Sequence, residues 1–149
     1  MGQFVSQDRH KEQKGGDTWL ADSWKRGGAS IWITGTYDPD LNLVYWGTGN
    51  PGPDFVHTYR PGDNLYTSGV VMLDARTGAL RGFQQLVKND FHDWDVAASP
   101  ILFTSRNGTK MVAVAGKHGY LVGFDRDLTN ERYKVAVTTI ENVDAPFTK

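Results

Sequence analysis

Residues 68–83, SGVVMLDARTGALRGF, decide the fold. An apolar run ends at Asp74, a turn passes over Arg76, Thr77 and Gly78, and a second run leads away. This is a β-hairpin signal, and Asp74 is placed to accept hydrogen bonds from the backbone N–H groups of its own turn. The pattern returns in YLVGFDRDLTNERYKV, residues 120–135, with Asp125 in the place of Asp74. Each hairpin follows another β-like run, LVYWGTGN at 43–50 in the first copy and MVAVAGKHG at 111–119 in the second. The two aspartates lie about 51 positions apart, a period typical of four-stranded propeller blades. A β-sandwich with two similar hairpins is the plainer alternative, but both copies keep the same order of elements, which favours the repeat. The chain is therefore expected to be all-β and a partial β-propeller of about two to three blades. Since at least four blades are usual for closure, it reads as a piece of a larger protein or a truncated reading frame.

The flanking sequence agrees. Seventeen glycines, five tryptophans and many Val, Thr and Tyr residues suit strands joined by tight turns. No segment holds a 3.6-residue apolar period over three turns. Two β-like runs, Ala29 to Tyr37 and Asn42 to Thr48, are joined by the turn sequence DPDLN. The second run stops at Gly49-Asn50-Pro51, leaving Asn50 at a strand tip. Residues 51–66, PGPDFVHTYRPGDNLY, hold three of the six prolines and form a long loop of the kind that is usually functional or disordered. Residues 1–18 are polar and without period and read as a separate flexible segment, and 19–149 as the propeller part. The tail TTIENVDAPFTK offers no closing strand.

Charge and cysteine content narrow the function. Sixteen Lys and Arg balance seventeen Asp and Glu, with no block of one sign, so neither nucleic acid nor an anionic membrane is an expected partner. The absence of cysteine rules out thiolate metal sites and disulfides in this chain. No apolar run reaches membrane-span length, and the N-terminus has no signal-peptide pattern.

Chemistry concentrates in NDFHDWDVAASP, residues 89–100, where Asp90, Asp93 and Asp95 surround His92 and Trp94. On an extended segment Asp93 and Asp95 face the same way, about 7 Å apart, and can flank one hard cation or divide the roles of metal ligand and base. A solvated acidic loop is the plainer reading. Asn50 offers a neutral amide oxygen suited to a calcium-like ion, or is only a turn residue. Trp32, preceded by Gly27, Gly28 and the Ser30 hydroxyl, is a platform for a flat cofactor or a core residue. Lys117, in a tight turn, is a cation for an oxyanion or an ordinary exposed lysine. His92 beside Asp93 forms a dyad or an ordinary carboxylate contact.

The order of these residues resembles the quinoprotein alcohol dehydrogenases, the methanol/ethanol dehydrogenase family that uses pyrroloquinoline quinone (PQQ). The likeness runs from about Trp19 to Phe147 in DSWKRGGASIWITGTYDPDLNLVYWGTGNPGPDF, RPGDNLYTSGVVMLDARTGALRGF, NDFHDWD, GKHGYLVGFDR and TTIENVDAPFT. It implies an eight-bladed quinoprotein propeller, oxidation of a small primary alcohol, a calcium or lanthanide ion, a cytochrome c-type electron acceptor and a periplasmic location. Residue by residue, it implies that Trp32 stacks beneath PQQ, Ser30 contacts a PQQ carboxylate and Lys117 meets the quinone oxygens. Asn50 would ligate the metal, Asp93 would be the catalytic base at the metal, and Asp95 stands where lanthanide-dependent members carry an extra ligand. Gly82 stands where the family usually has a blade-docking Trp, which implies looser docking, and His92 replaces a Trp often found before the base. The family's glutamate ligand, vicinal cysteine pair and most PQQ carboxylate contacts have no match here. A non-catalytic propeller for binding or scaffolding is the alternative function.

Overall fold

The structure, a computed structural model, describes residues 14–20 and 22–139. The strands are β1 (Thr36–Asp38), β2 (Leu43–Gly47), β3 (Gly69–Asp74), β4 (Leu80–Gln85), β5 (Ile101–Thr104), β6 (Lys110–Ala115), β7 (Tyr120–Asp125) and β8 (Glu131–Ala136). They form two four-stranded antiparallel sheets, each a meander in chain order, β1 to β4 and β5 to β8. The helical elements among the described residues are short 3-10 turns at Gly16–Thr18, Ser23–Lys25 and His57–Tyr59. The chain is all-β and a partial propeller, with two blades among the described residues.

The repeat extends to register. β3 slips against β4 between Met72 and Leu73, and β7 slips against β8 between Gly123 and Phe124, the matching positions. Asp74 accepts from the Arg76 and Thr77 N–H groups and pairs with Arg81 at 3.0 Å. Asp125 pairs with Arg132 at 2.6 Å and takes an Asn130 amide hydrogen. Arg81 and the turn donors hold the Asp74 carboxyl well below the usual carboxylate range.

One expected strand is shorter than its sequence suggests. Of the run Ala29 to Tyr37, only the end from Thr36 onward joins a sheet. Ala29 has φ 57° and Gly28 φ 144°, and Gly28 makes an isolated bridge with Pro51. The segment thus runs beside residues 49–51 and enters the sheet late. Part of the segment from 1 to 18 is docked. Thr18 Oγ1 accepts from Leu65 N at 2.8 Å, and Tyr66 Oη donates to Lys14 O at 2.5 Å. Residues 1–13 and 140–149, with most of the tail motif, lie outside the described residues.

The two blades stack face to face. Strand alternation sends Tyr45, Val70 and Met72 of the first sheet and Val112, Val114, Val122 and Phe124 of the second into one core, joined by Val96 and Leu128. Each such side chain contributes about 1.5–3 kcal/mol when fully buried. Gly82, where a docking Trp is usual in the resembled family, faces the turn after β7. A Cβ built there would lie 2.8 Å from Met72 Cε of the paired strand, 3.4 Å from Asp127 O and 3.7 Å from Leu128 Cβ. The missing side chain makes room first for Met72 of its own sheet and then for the neighbouring blade's turn, and Leu128 is buried against the core there. Expectation and structure differ here: docking is close, and the second blade supplies the wedge.

Polar contacts hold that wedge. Arg126 Nη1 meets Asp38 Oδ2 at 2.6 Å, Tyr45 Oη donates to Arg126 O at 2.7 Å and Gln84 Nε2 donates to Leu128 O at 2.6 Å. Burial, with Asp38 nearby, pushes the Tyr45 phenol up to about 12, so it stays a donor. Burial alone would raise the Asp38 carboxyl, but the Arg126 hydrogen bond and the Asp40 and Leu41 N–H groups outweigh it and leave it below 3.8.

Removing one partner of such a buried pair strands the other. Arg126→Ala is expected to cost about 3–5 kcal/mol in urea unfolding. Because the folded-state pKa of Asp38 is depressed, the pair's contribution is present at neutral pH and fades as pH falls below 3.8. The Arg126→Ala penalty should therefore shrink in acid, and a penalty independent of pH would contradict the pairing.

Candidate functional site

The expected site residues come from four segments and meet at one end of the two blades. Gly49, just past β2, lies among three of them. A Cβ built on it would lie 2.7 Å from Trp32 Cζ3, 2.9 Å from Ser30 Oγ and 3.0 Å from Asp95 Oδ1. Backbone pairing fixes this approach: Gly49 N donates to Ser30 O at 3.0 Å, and Ala29 N to Asn50 O at 3.2 Å. Trp32 is 46% exposed, so its ring is an open surface and not part of the core.

Asp95 links the rest. Its Oδ1 accepts from Asn50 N at 2.9 Å, its Oδ2 meets Lys117 Nζ at 2.6 Å, and its carbonyl accepts from Lys117 N at 2.9 Å. Lys117 Nζ also meets Asp93 Oδ2 at 2.9 Å. One ammonium therefore lies between two carboxylates whose mutual repulsion it offsets. Asp95 first, and then Asp93, raise the Lys117 pKa through these hydrogen bonds. The Asp95 side chain is 8% exposed and that of Asp93 36%, so the second carboxylate is the one open to an incoming molecule.

The acidic loop is not extended. Asp93 has φ 61°, the left-handed region that Asp tolerates better than most residues. The two carboxylates converge through this kink and not through strand alternation. Asp90, buried, shapes the loop: Oδ1 accepts from His92 N at 2.8 Å and Oδ2 from Trp94 N at 2.7 Å. The His92 ring stacks on Trp94 at 4.1 Å and 11°, with the Phe91 ring tilted against it at 4.0 Å and 35°, and its backbone N–H is tied to Asp90. Behind Lys117, burial lowers the His118 pKa and keeps that imidazole neutral.

The donor chemistry suits a hard cation. Asn50 Nδ2 donates to Pro51 O at 3.3 Å and Asp54 Oδ1 at 2.5 Å, which leaves the amide oxygen as its acceptor. That oxygen with the Asp93 and Asp95 carboxylates is an all-oxygen set of the kind calcium-like ions take, though such ions take six to eight oxygens in all. Among the described residues no cluster of three or more His, Cys, Asp or Glu side chains is placed to hold a metal.

The six candidate site residues, Ser30, Trp32, Asn50, Asp93, Asp95 and Lys117, are at this end. Sequence reading missed Gly49, the shaping role of Asp90, and Arg60, which is fully buried beneath the loops. Asp90 carries a local signal, an Asp two residues before a turn amide. Arg60 carries none, since two of its partners are backbone carbonyls, one of them thirty residues along at Asp90, and the third is the Asn64 amide within its own loop.

Comparison with known proteins followed the same lines. The PQQ family model described as "Glucose/ethanol/alcohol dehydrogenase, beta-propeller domain" matches residues 3–146. The quinoprotein alcohol dehydrogenase PedH of Pseudomonas putida is 40% identical over 121 residues, covering 79% of this chain and 20% of its own. Methanol dehydrogenase [cytochrome c] subunit 1 of Methylobacterium organophilum is 40% identical over 110 residues, covering 72% of this chain and 17% of its own. A solved europium-containing methanol dehydrogenase superposes with TM-score 0.80 at 27% identity, over 91% of this chain and 25% of its own. The chain thus spans about a fifth of the length of the curated relatives it matches.

Gly49 gives a direct test of the shared pocket. Its φ lies outside the left-handed region, so Gly49→Ala leaves the backbone unstrained while the new methyl pushes Trp32, Ser30 and Asp95 apart. Terbium binding, followed by tryptophan-sensitised luminescence, is expected to weaken about tenfold or more, with an unfolding midpoint lowered by no more than about 8 °C. Unaltered binding would mean that these side chains do not line a common cation site.

Proposed function

The chain belongs to the PQQ-dependent glucose/ethanol/alcohol dehydrogenase β-propeller family, and from that premise we propose that it forms part of the active site of an enzyme oxidising primary alcohols to aldehydes. The observation that carries this reading is the run of direct contacts from Asn50 through Asp95 and Lys117 to Asp93, drawn from three separate segments. A propeller used only for binding or scaffolding has no need of two carboxylates held on one lysine beside an exposed tryptophan.

When bound, PQQ would supply the two-electron acceptor for the alcohol's α-hydride, with a calcium or lanthanide ion beside it as Lewis acid. Asn50, Asp93 and Asp95 would hold that ion. Trp32, with its exposed face, would set the plane of the cofactor ring, and Ser30 would anchor a cofactor carboxylate through its hydroxyl. Asp93 takes the substrate's hydroxyl proton, the role its exposed carboxylate suits. Lys117 orients Asp93 and presents a positive charge toward the oxygens that become electron-rich as the substrate is oxidised. The proton and hydride lost by the alcohol leave the aldehyde, so the step balances without a further reactant.

Asp95 adds a second carboxylate that rewards a trivalent ion more than a divalent one, since attraction scales with charge. A cytochrome c-type acceptor and a periplasmic setting belong to the same reading. They rest on the family and on relatives such as the methanol dehydrogenase named for cytochrome c.

In the full-length protein, Asp93→Asn should lower turnover about 10²–10⁴-fold while PQQ still binds. Loss of binding with residual rate unchanged would contradict the base. Asp95→Asn, which keeps an acceptor for the Asn50 N–H, should impair lanthanum-supported turnover more than calcium-supported turnover in a dye-reduction assay. Equal impairment would remove Asp95 from ion selection.

A further inference from the structure

Arg60 is fully buried, with a relative exposure of 0%. Among the described residues it forms no ion pair, and its guanidinium donates in three directions instead. Nε donates to Pro53 O at 3.2 Å, Nη1 to Asn64 Oδ1 at 3.0 Å, and Nη2 to Asp90 O. Burial lowers its pKa, opposed by the nearby Asp90 and Asp54 charges, but a guanidinium remains ionised in proteins. A buried cation is retained only where its hydrogen bonds are well made.

Its two outer partners belong to the two loops that carry the site. Pro53 lies in the turn where Asn50 Nδ2 grips Asp54 and Pro51. Asp90 opens the acidic loop, and its carboxylate holds the amides on either side of Asp93. The third partner, Asn64, returns a hydrogen bond to Arg60 O at 3.1 Å, and Asn89 Nδ2 donates to the same carbonyl at 2.9 Å. One planar side chain thus ties the loop bearing Asn50 to the loop bearing Asp93 and Asp95.

We propose that Arg60 is a positioning residue that sets the spacing between the Asn50 amide and the Asp93 and Asp95 carboxylates. The role rests on the active-site reading above. Lysine cannot replace it, because three partners lie around a flat fork that a single ammonium on a flexible stem does not span.

The test compares Arg60→Lys and Arg60→Met with Val114→Ala, a core change away from the loops, in the full-length protein. Amide hydrogen exchange over residues 50–54 and 89–95 should quicken in both loops together in both Arg60 variants, and in neither for Val114→Ala. Terbium affinity should fall about 10–100-fold with Arg60 changed and stay within about threefold in the core control. In the PQQ-loaded protein, kcat should drop while KM for the alcohol stays nearly constant. Arg60→Met is the variant at risk of not folding, and Arg60→Lys, which keeps the buried charge, then carries the comparison. Wild-type exchange and affinity in Arg60→Lys, or equal losses in Val114→Ala, would overturn the positioning role. A wild-type protein that binds no terbium would overturn the site reading itself, whereas wild-type binding with unaltered Arg60 variants would overturn only the role of Arg60.

Discussion

The site depends on the Asp95 carboxylate. It is nearly buried, and each oxygen is committed, one to the Asn50 N–H and one to the Lys117 ammonium, while its carbonyl takes the Lys117 N–H. A carboxylate removed from water needs such compensation. The compensating groups here come from the end of a strand in one blade and from a turn in the next. The same residue therefore satisfies its own charge and joins the blades at the end where the chemistry gathers. At the turn beyond β7 the joining is different in kind, with Leu128 and Arg126 inserted against Tyr45, Asp38 and the space left by Gly82. Together these two attachments hold one sheet to the other, and the site lies where the two blades meet.

Much of the fold was legible because it repeats. Asp74 and Asp125 stand in the same place in two hairpins, and the structure carries the likeness down to matching register slips and matching Asp–Arg pairs. A repeat read from residue order survives because each blade solves the same packing problem with the same local rules. What was not legible follows from non-local contact. The segment after Ala29 has strand-like composition but pairs with residues 49–51 through backbone groups, which sequence pattern does not register. The consequence of Gly82 was also misjudged from sequence, since its neighbours are Met72 on the paired strand and Leu128, forty-six residues on, and a missing side chain reads as a gap until its occupants are known.

The site was legible in its residue types and not in its geometry. Three aspartates in six positions, a strand-tip asparagine and a turn lysine are recognisable as a hard-oxygen and cation set. Their meeting depends on a left-handed Asp93 and on Asp90 capping the loop from below, and neither follows from alternation along a strand. Arg60 is the extreme case. It is an arginine in a proline-rich loop, with nothing in its neighbours to say that it is buried, because its three acceptors lie at 53, 64 and 90.

Lys117 gives the arrangement its further logic. Two carboxylates on one ammonium repel each other, and the ammonium between them offsets that repulsion while adding a single charge. On the proposed reading a hard cation of higher charge takes the same oxygens. It then repels the ammonium, which must turn away from at least one carboxylate. The lysine stem is long and nearly half exposed, so it can swing without disturbing β6 or β7. On that reading the direction left to it is away from the carboxylates, toward the electron-rich oxygens that a bound cofactor would supply. One flexible cation thus suits both states of the site: counter-charge for Asp93 and Asp95 when they stand alone, and partner to the cofactor when they do not.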